Sequence, residues 1–123
     1  MPVLSSDRPI MGTFNVKGKV YGWSQVTIGG KIAMEARKQN LTSGQFAVML
    51  SSQVGAQQEA AINALVVAEL EFYINQVPEG TKQFVLWEDQ DELREVHKAL
   101  VDARERFRSA GKPEENSAST TGA

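Results

Sequence analysis

A chain of 123 residues, of which 41% are hydrophobic and 23% charged, has the length and composition of one globular domain. Its formal net charge of -2 provides no overall positive field for nucleic acid or an anionic membrane, and zero cysteines exclude disulfides, thiolate-bound metals and thiol nucleophiles. No apolar run of about 20 residues predicts a membrane span, and the N-terminus lacks the pattern of a signal peptide. We therefore expect a soluble, cytoplasmic protein, in a host cell or within a virion.

The two ends of the chain differ in composition from its middle. Residues 1–12 show no apolar period and include Pro2 and Pro9, which predicts a flexible arm. Residues 112–123 are small and polar, which predicts a disordered tail. A single α+β domain is expected over 13–111.

The first part of that domain has apolar residues at alternating positions. The even-numbered set is Phe14, Val16, Val20, Val26, Ile28, Ile32 and Met34. This period of two predicts strands that bury one face. The Gly29–Gly30 pair predicts a hairpin turn, and a three-residue loop through Lys31 is favoured because it pairs Ile28 with Ile32.

Helix signals follow. Thr42 as N-cap, with Gln45 three residues later and Leu41 beside Phe46, predicts a capping box and hydrophobic staple. Gly55 then interrupts the helix that starts at this capping box, and a second helix is predicted over 56–76. Its apolar residues cover a wide arc, which predicts burial on more than one side, either in the domain core or against another subunit. They are Ile62, Leu65, Val66, Leu70, Tyr73, Ile74 and Val77.

The last third of the domain contains a short apolar run and a long helix. Residues 84–87 predict either a further strand or an irregular packed segment. Asp89 is the expected N-cap of the final helix, with Glu92 three residues on. Its apolar seam consists of Leu93, Val96, Leu100, Ala103 and Phe107. Leu93, Val96, Leu100 and Phe107 are a candidate helix interface, within the chain or between subunits, and a homo-oligomer is favoured.

These elements predict an α+β fold in which an N-terminal antiparallel hairpin or small sheet packs on two to three helices. Groups for catalysis are scarce. His97 is the only histidine, and without cysteine it cannot build a typical zinc site. Gly29-Gly30-Lys31 lacks the spacing of a phosphate loop, and the carboxylates at 88–92 are explained by helix-start electrostatics. We expect no enzyme activity, no cofactor and no bound metal.

One group of side chains suggests a binding surface. Cations interleaved with aromatic rings on a sheet are typical of proteins that hold single-stranded nucleic acid. Odd-numbered positions along the predicted strands place several such residues opposite the apolar face. This candidate interaction surface consists of Lys17, Lys19, Tyr21, Trp23, Lys31 and Arg37.

The segment VYGWSQV, residues 20–26, resembles the start of some tailed-phage structural proteins, and the order of elements is similar to that of small phage assembly factors. The resemblance implies a structural or assembly role. Together with the scarcity of catalytic groups, it favours a non-enzymatic protein-interaction or assembly protein. The alternative is a small nucleic-acid-binding module that uses the Lys, Tyr and Trp face of the hairpin.

Overall fold

A computed structural model describes residues 9–110 and shows an α+β fold, as the sequence predicts. This part contains a three-stranded antiparallel sheet in the order β1-β2-β3 and four α-helices. The elements in chain order are β1 (Gly12–Val16), β2 (Lys19–Trp23), α1 (Ile28–Leu41), α2 (Phe46–Leu50), α3 (Gly55–Tyr73), β3 (Ile74–Gln76) and α4 (Gln90–Ala110). The predicted tail, and the predicted arm up to residue 8, lie outside the described residues.

The hairpin of the fold is formed by β1 and β2, earlier in the chain than Gly29–Gly30. Its register pairs Val16 with Lys19, which leaves Lys17 and Gly18 as a two-residue turn. Both turn residues have left-handed φ angles, 53° and 81°, as a type I′ turn requires. The Gly18 backbone N–H donates to Asn15 Oδ1 at 2.9 Å, which fixes the turn. The predicted position of the hairpin is therefore wrong.

Helix α1 occupies the place where the second strand was expected. Thr27 Oγ1 accepts a hydrogen bond from the Gly30 N–H at 3.0 Å, so Thr27 is the N-cap and the two glycines lie in the first turn. Ile28 and Ile32 are four residues apart, a spacing that fits a strand face and a helix face equally well. The capping threonine, and the packing of α1 on α3, decide in favour of the helix.

Thr42 ends α1 and does not begin the next helix. Its hydroxyl donates back to the Lys38 carbonyl at 3.0 Å, which is the opposite of an N-cap bond. Left-handed Ser43 and Gly44 then reverse the chain before the short helix α2. The predicted capping box is wrong because a threonine hydroxyl can serve either helix end, and the sequence does not distinguish the two.

Helix α3 lies at the centre of the fold and contacts α1, α2, α4 and β3. Its buried residues are distributed around its circumference, which confirms the predicted wide arc and places it in the domain core. The chain passes from Tyr73 directly into β3, which pairs with β2. Residues 84–86 form a single 3-10 turn, so the third strand of the sheet is β3 and not the run at 84–87.

Helix α4 follows the sequence prediction closely. Asp89 Oδ1 accepts from the Glu92 N–H at 3.1 Å, which confirms the predicted N-cap. The seam packs on β1 and α3: Leu93, Val96 and Leu100 are buried, and Phe107 is half-buried. The candidate helix interface is therefore occupied by contacts within the chain.

Candidate protein-binding surface

The sheet does not present the aromatic residues of the predicted binding face. Tyr21 and Trp23 are each only 1% exposed. The Tyr21 ring stacks on Phe14 with centroids 5.5 Å apart, and Trp23 meets Phe107 edge-on at the same distance. The predicted position of these two rings on an outer face is wrong, because both belong to the hydrophobic core.

The turn length explains this error. In an antiparallel pair, directly opposite residues share a face, and the observed register pairs Phe14 with Tyr21. The two-residue turn thus places even positions of β1 on the same face as odd positions of β2. Val20, expected to be buried, is exposed instead. The signal available in the sequence was Gly18 three residues after Asn15, which marks the turn.

The two lysines of the hairpin face acidic residues of α4. Lys17 Nζ lies 3.5 Å from Glu95 Oε1, and Lys19 Nζ lies 4.0 Å from Glu92 Oε2. Each carboxylate offsets part of the positive charge that a phosphate backbone would need. The hairpin therefore brings Lys17 and Lys19 together, but next to acids and without exposed rings of Tyr21 and Trp23.

The other two predicted residues lie on α1. Arg37 donates through Nε and Nη2 to the two carboxylate oxygens of Glu71 at 2.8 and 2.9 Å. The Glu71 side chain is 2% exposed, and its hydrogen bonds raise the pKa of Arg37. This ion pair connects α1 to α3. Lys31, in contrast, forms no ion pair with any residue of 9–110.

His97 also joins two helices. Its Nε2 lies 2.7 Å from Glu69 Oε1, and this hydrogen bond lowers the pKa of Glu69, with smaller contributions from the charges of His97, Arg104 and Lys38. Within 9–110 no serine or threonine hydroxyl bonds to His97. The same part of the chain contains no group of three or more acidic or histidine side chains able to hold a metal. The His97–Glu69 pair connects α4 to α3.

Two clefts border the segment between β3 and α4. One, of about 400 Å³, has an apolar floor that includes Leu41, Val67 and Phe84. The other, of about 370 Å³, is lined by four carboxylates and two lysines, which makes it acidic on balance and unfavourable for phosphate groups. Burial raises the pKa of the Tyr21 phenol in this second cleft, and Glu92 acts in the same direction.

Large aliphatic side chains are exposed on α1, on α2 and just before α3. This set, called here the outer α1–α2 surface, consists of Ile28 (81% exposed), Ile32 (68%), Val48 (63%), Val54 (56%) and Leu50 (41%). Both helices rest on α3 by one side, and none of their residues is fully buried. Single exposed aliphatic residues are ordinary, whereas exposed apolar side chains grouped on neighbouring elements are candidates for an interaction site. Sequence reasoning missed this surface because it assigned Ile28 and Ile32 to a buried strand face.

Among the helices in the described range, none is both long and apolar enough to cross a membrane. Comparisons with protein-family models, with curated proteins and with solved structures gave no match to the chain. The candidate site is therefore defined by the geometry of the chain itself, and it is the outer α1–α2 surface.

Proposed function

We propose that this chain is a non-enzymatic interaction or assembly protein that binds other protein chains through the outer α1–α2 surface. The observation that carries the proposal is the exposure of Ile28, Ile32 and Val48 on helices that contact the rest of the fold by one side only. Fully burying one such side chain contributes about 1.5–3 kcal/mol. Three of them contribute about 4.5–9 kcal/mol, which offsets a large part of the roughly 4–15 kcal/mol that association costs.

The core does not require these residues to be apolar. It is closed by α3, α4 and the sheet, with Trp23, Tyr21, Leu70 and Leu100 among its most buried side chains. Polar residues at positions 28, 32 and 48 would leave that packing unchanged. Their apolar character is therefore better explained by a partner than by folding.

The resemblance of residues 20–26 to tailed-phage structural proteins supports an assembly role in particular. This segment runs from β2 into the loop before α1, so it connects the core to the proposed binding helices. The buried rings and acid-paired lysines of the hairpin lend the nucleic-acid alternative no support.

The test is quantitative capture of partners from the native host with the tagged full chain. Ile32→Glu and Val48→Glu place a charge in the proposed interface and should each reduce captured partner by about tenfold or more, since burying an unpaired charge is costly. The matched control is Lys98→Glu, at an exposed position of α4, which should leave capture unchanged. Because positions 32 and 48 are exposed, circular dichroism and thermal melts should show wild-type folding for both variants.

Equal capture by all of these variants would contradict the proposal. A second contradicting result would be an oligonucleotide that binds the wild type but not the Lys17→Gln and Lys19→Gln variants, because it would favour the nucleic-acid alternative.

A further inference from the structure

We infer that α1 pairs with α1 of a second copy of this chain, antiparallel and side by side, across a two-fold axis near Ala33. The inference rests on the proposed function and specifies the partner of one part of the outer α1–α2 surface. Its basis is the arrangement of side chains around α1.

The inner side of α1 is defined by burial. Gly30, Met34, Arg37 and Leu41 recur at helical spacing and are half-buried, and Met34 and Leu41 pack against the core. The opposite side carries Ile28 and Ile32 at its middle. One flank of this outer face has the small residues Gly29, Ala33 and Ala36, and the other flank has Lys31 and Glu35, all exposed.

The charged flank is complementary to itself in only one orientation. Lys31 and Glu35 lie one turn apart on the same side of α1. A parallel two-fold pair would place the charged flank of each helix beside the small flank of the other, so Lys31 would have no acid opposite it. A two-fold antiparallel pair places Lys31 opposite Glu35 of the second copy, and Glu35 opposite its Lys31, because residue i meets j and j meets i across such an axis.

The isolated chain leaves this charge pattern unbalanced. Lys31 has no ion pair in the described part of the chain, and it lies near the positive end of the α1 dipole, whose first turn contains no acid. Glu35 accepts from Gln39 and lies 2.8 Å from Lys38 Nζ, contacts that lower the pKa of Glu35 and keep it charged at neutral pH. Its side chain is still 56% exposed and accessible to a second cation.

The small side chains on this flank let a second α1 helix approach closely. A Cβ added at Gly29 would meet nothing nearer than Thr27 Oγ1 at 3.9 Å, so this side of α1 is open. The helix has 14 residues and is therefore about 21 Å long. A contact of that length buries less than the roughly 800 Å² per partner of a standard interface, which predicts a weak dimer in the micromolar range.

Sedimentation equilibrium of the full chain, from micromolar to submillimolar concentration, tests the pairing. Wild type should dimerise, and Ile32→Glu should abolish the dimer. Lys31→Glu and Glu35→Lys should each raise the dimer dissociation constant about three- to tenfold, because each creates two repulsive contacts. The double variant Lys31→Glu, Glu35→Lys should restore wild-type dimerisation, because it only exchanges the two charges. If the single variants were merely misfolded, combining them would not restore the dimer.

Orientation is tested by cysteine cross-linking, since the native chain has no cysteine. Ile32→Cys should form a disulfide-linked dimer, because the two copies of this position, at the middle of the outer face, meet next to the axis. Asn40→Cys, exposed on the small flank, should not: its two copies lie about 20 Å apart, beyond the roughly 7 Å limit between Cα atoms.

Equal cross-linking of both variants, or a monomeric wild type at every concentration, would overturn the inference. If the wild type is monomeric but still captures partners, and Ile32→Glu abolishes that capture, the dimer is overturned and the proposed function stands. A dimer with no other captured protein would leave the pairing intact and reduce the proposed function to self-association.

Discussion

The carboxylate of Glu71 is the most deeply buried charge among the described residues, and its partner is Arg37. A buried charge is tolerated when its hydrogen bonds are satisfied, and removing one partner leaves the other uncompensated. Removing one partner of this pair should therefore cost more stability than removing one partner of a surface ion pair.

We expect Arg37→Met to lower the free energy of unfolding by about 3–5 kcal/mol, because it leaves the Glu71 carboxylate buried without its guanidinium. Urea denaturation measures this change. The control is Arg108→Met, whose ion pair with Glu105 spans 3.7 Å between mostly exposed side chains and should change stability by under about 0.5 kcal/mol. Similar losses for the two variants would contradict the assignment.

The double variant Arg37→Met, Glu71→Leu tests the same point in the opposite direction. Replacing a buried ion pair by apolar residues of similar volume is often neutral or stabilising, so this variant should recover most of the stability lost in Arg37→Met. Chemical denaturation of the single and double variants gives the recovery directly. A double variant no more stable than Arg37→Met would indicate that the defect lies in packing and not in charge.

The lowered pKa of Glu69 predicts that the free energy of unfolding changes with pH in the acid range. Its pKa is held below the ordinary value of 4.5, first by the hydrogen bond from His97. A carboxylate with a lowered folded pKa stabilises the fold above its unfolded pKa and loses that contribution as the pH falls through the folded pKa. The stability difference between wild type and Glu69→Gln should be largest near neutral pH and shrink below about pH 4.5. Urea titrations across pH 3–7 measure it, and a constant difference would contradict the account.

At the scale of elements, Gly29 and Gly30 distinguish a helix start from a hairpin turn. Gly29 has open space where a Cβ would lie, whereas a Cβ on Gly30 would come within 2.7 Å of Val26 Cγ1. Gly29→Ala should stabilise the monomer by about 0.5–1 kcal/mol through helix propensity, and Gly30→Ala should show no such gain. Thermal melts at low protein concentration compare them. Destabilisation by Gly29→Ala would favour the hairpin.

The sequence predicted some elements correctly because their signals are local and independent. Asp89 caps α4, and the spacing of Leu93, Val96 and Leu100 indicates the buried face of the same helix. The helix α1 was missed because the spacing of Ile28 and Ile32 fits both periods. Its capping threonine, Thr27, was not distinguished from a strand residue, which is a frequent role for threonine.

The candidate site was less accessible from the sequence than the fold was. Exposure of Ile32 depends on α1 resting on α3 by one side, which is a property of tertiary packing. Burial of Trp23 depends on a turn length that shifts the face of every residue in β2. Neither property can be read from composition or spacing alone.

Across the whole molecule, the rings of Tyr21 and Trp23 lie inside, whereas the aliphatic side chains of Ile28, Ile32 and Val48 lie outside. This arrangement predicts that Trp23 is inaccessible. In a Trp87→Phe variant, the remaining Trp23 should emit at short wavelength, resist quenching by acrylamide, and show no change on addition of an oligonucleotide. The Trp23→Phe variant, which retains the half-buried Trp87, is the control. Strong quenching of Trp23 would contradict the described core.

Site-specific photo-cross-linking in the host shows directly whether the outer α1–α2 surface binds protein. Benzoylphenylalanine is introduced into the full chain at Ile32, at Val48 or, as a control, at Lys98 on the exposed side of α4. We expect protein adducts from positions 32 and 48, including a dimer of the chain from position 32, and none from position 98. Adducts from position 98, with none from 32 or 48, would contradict the proposal.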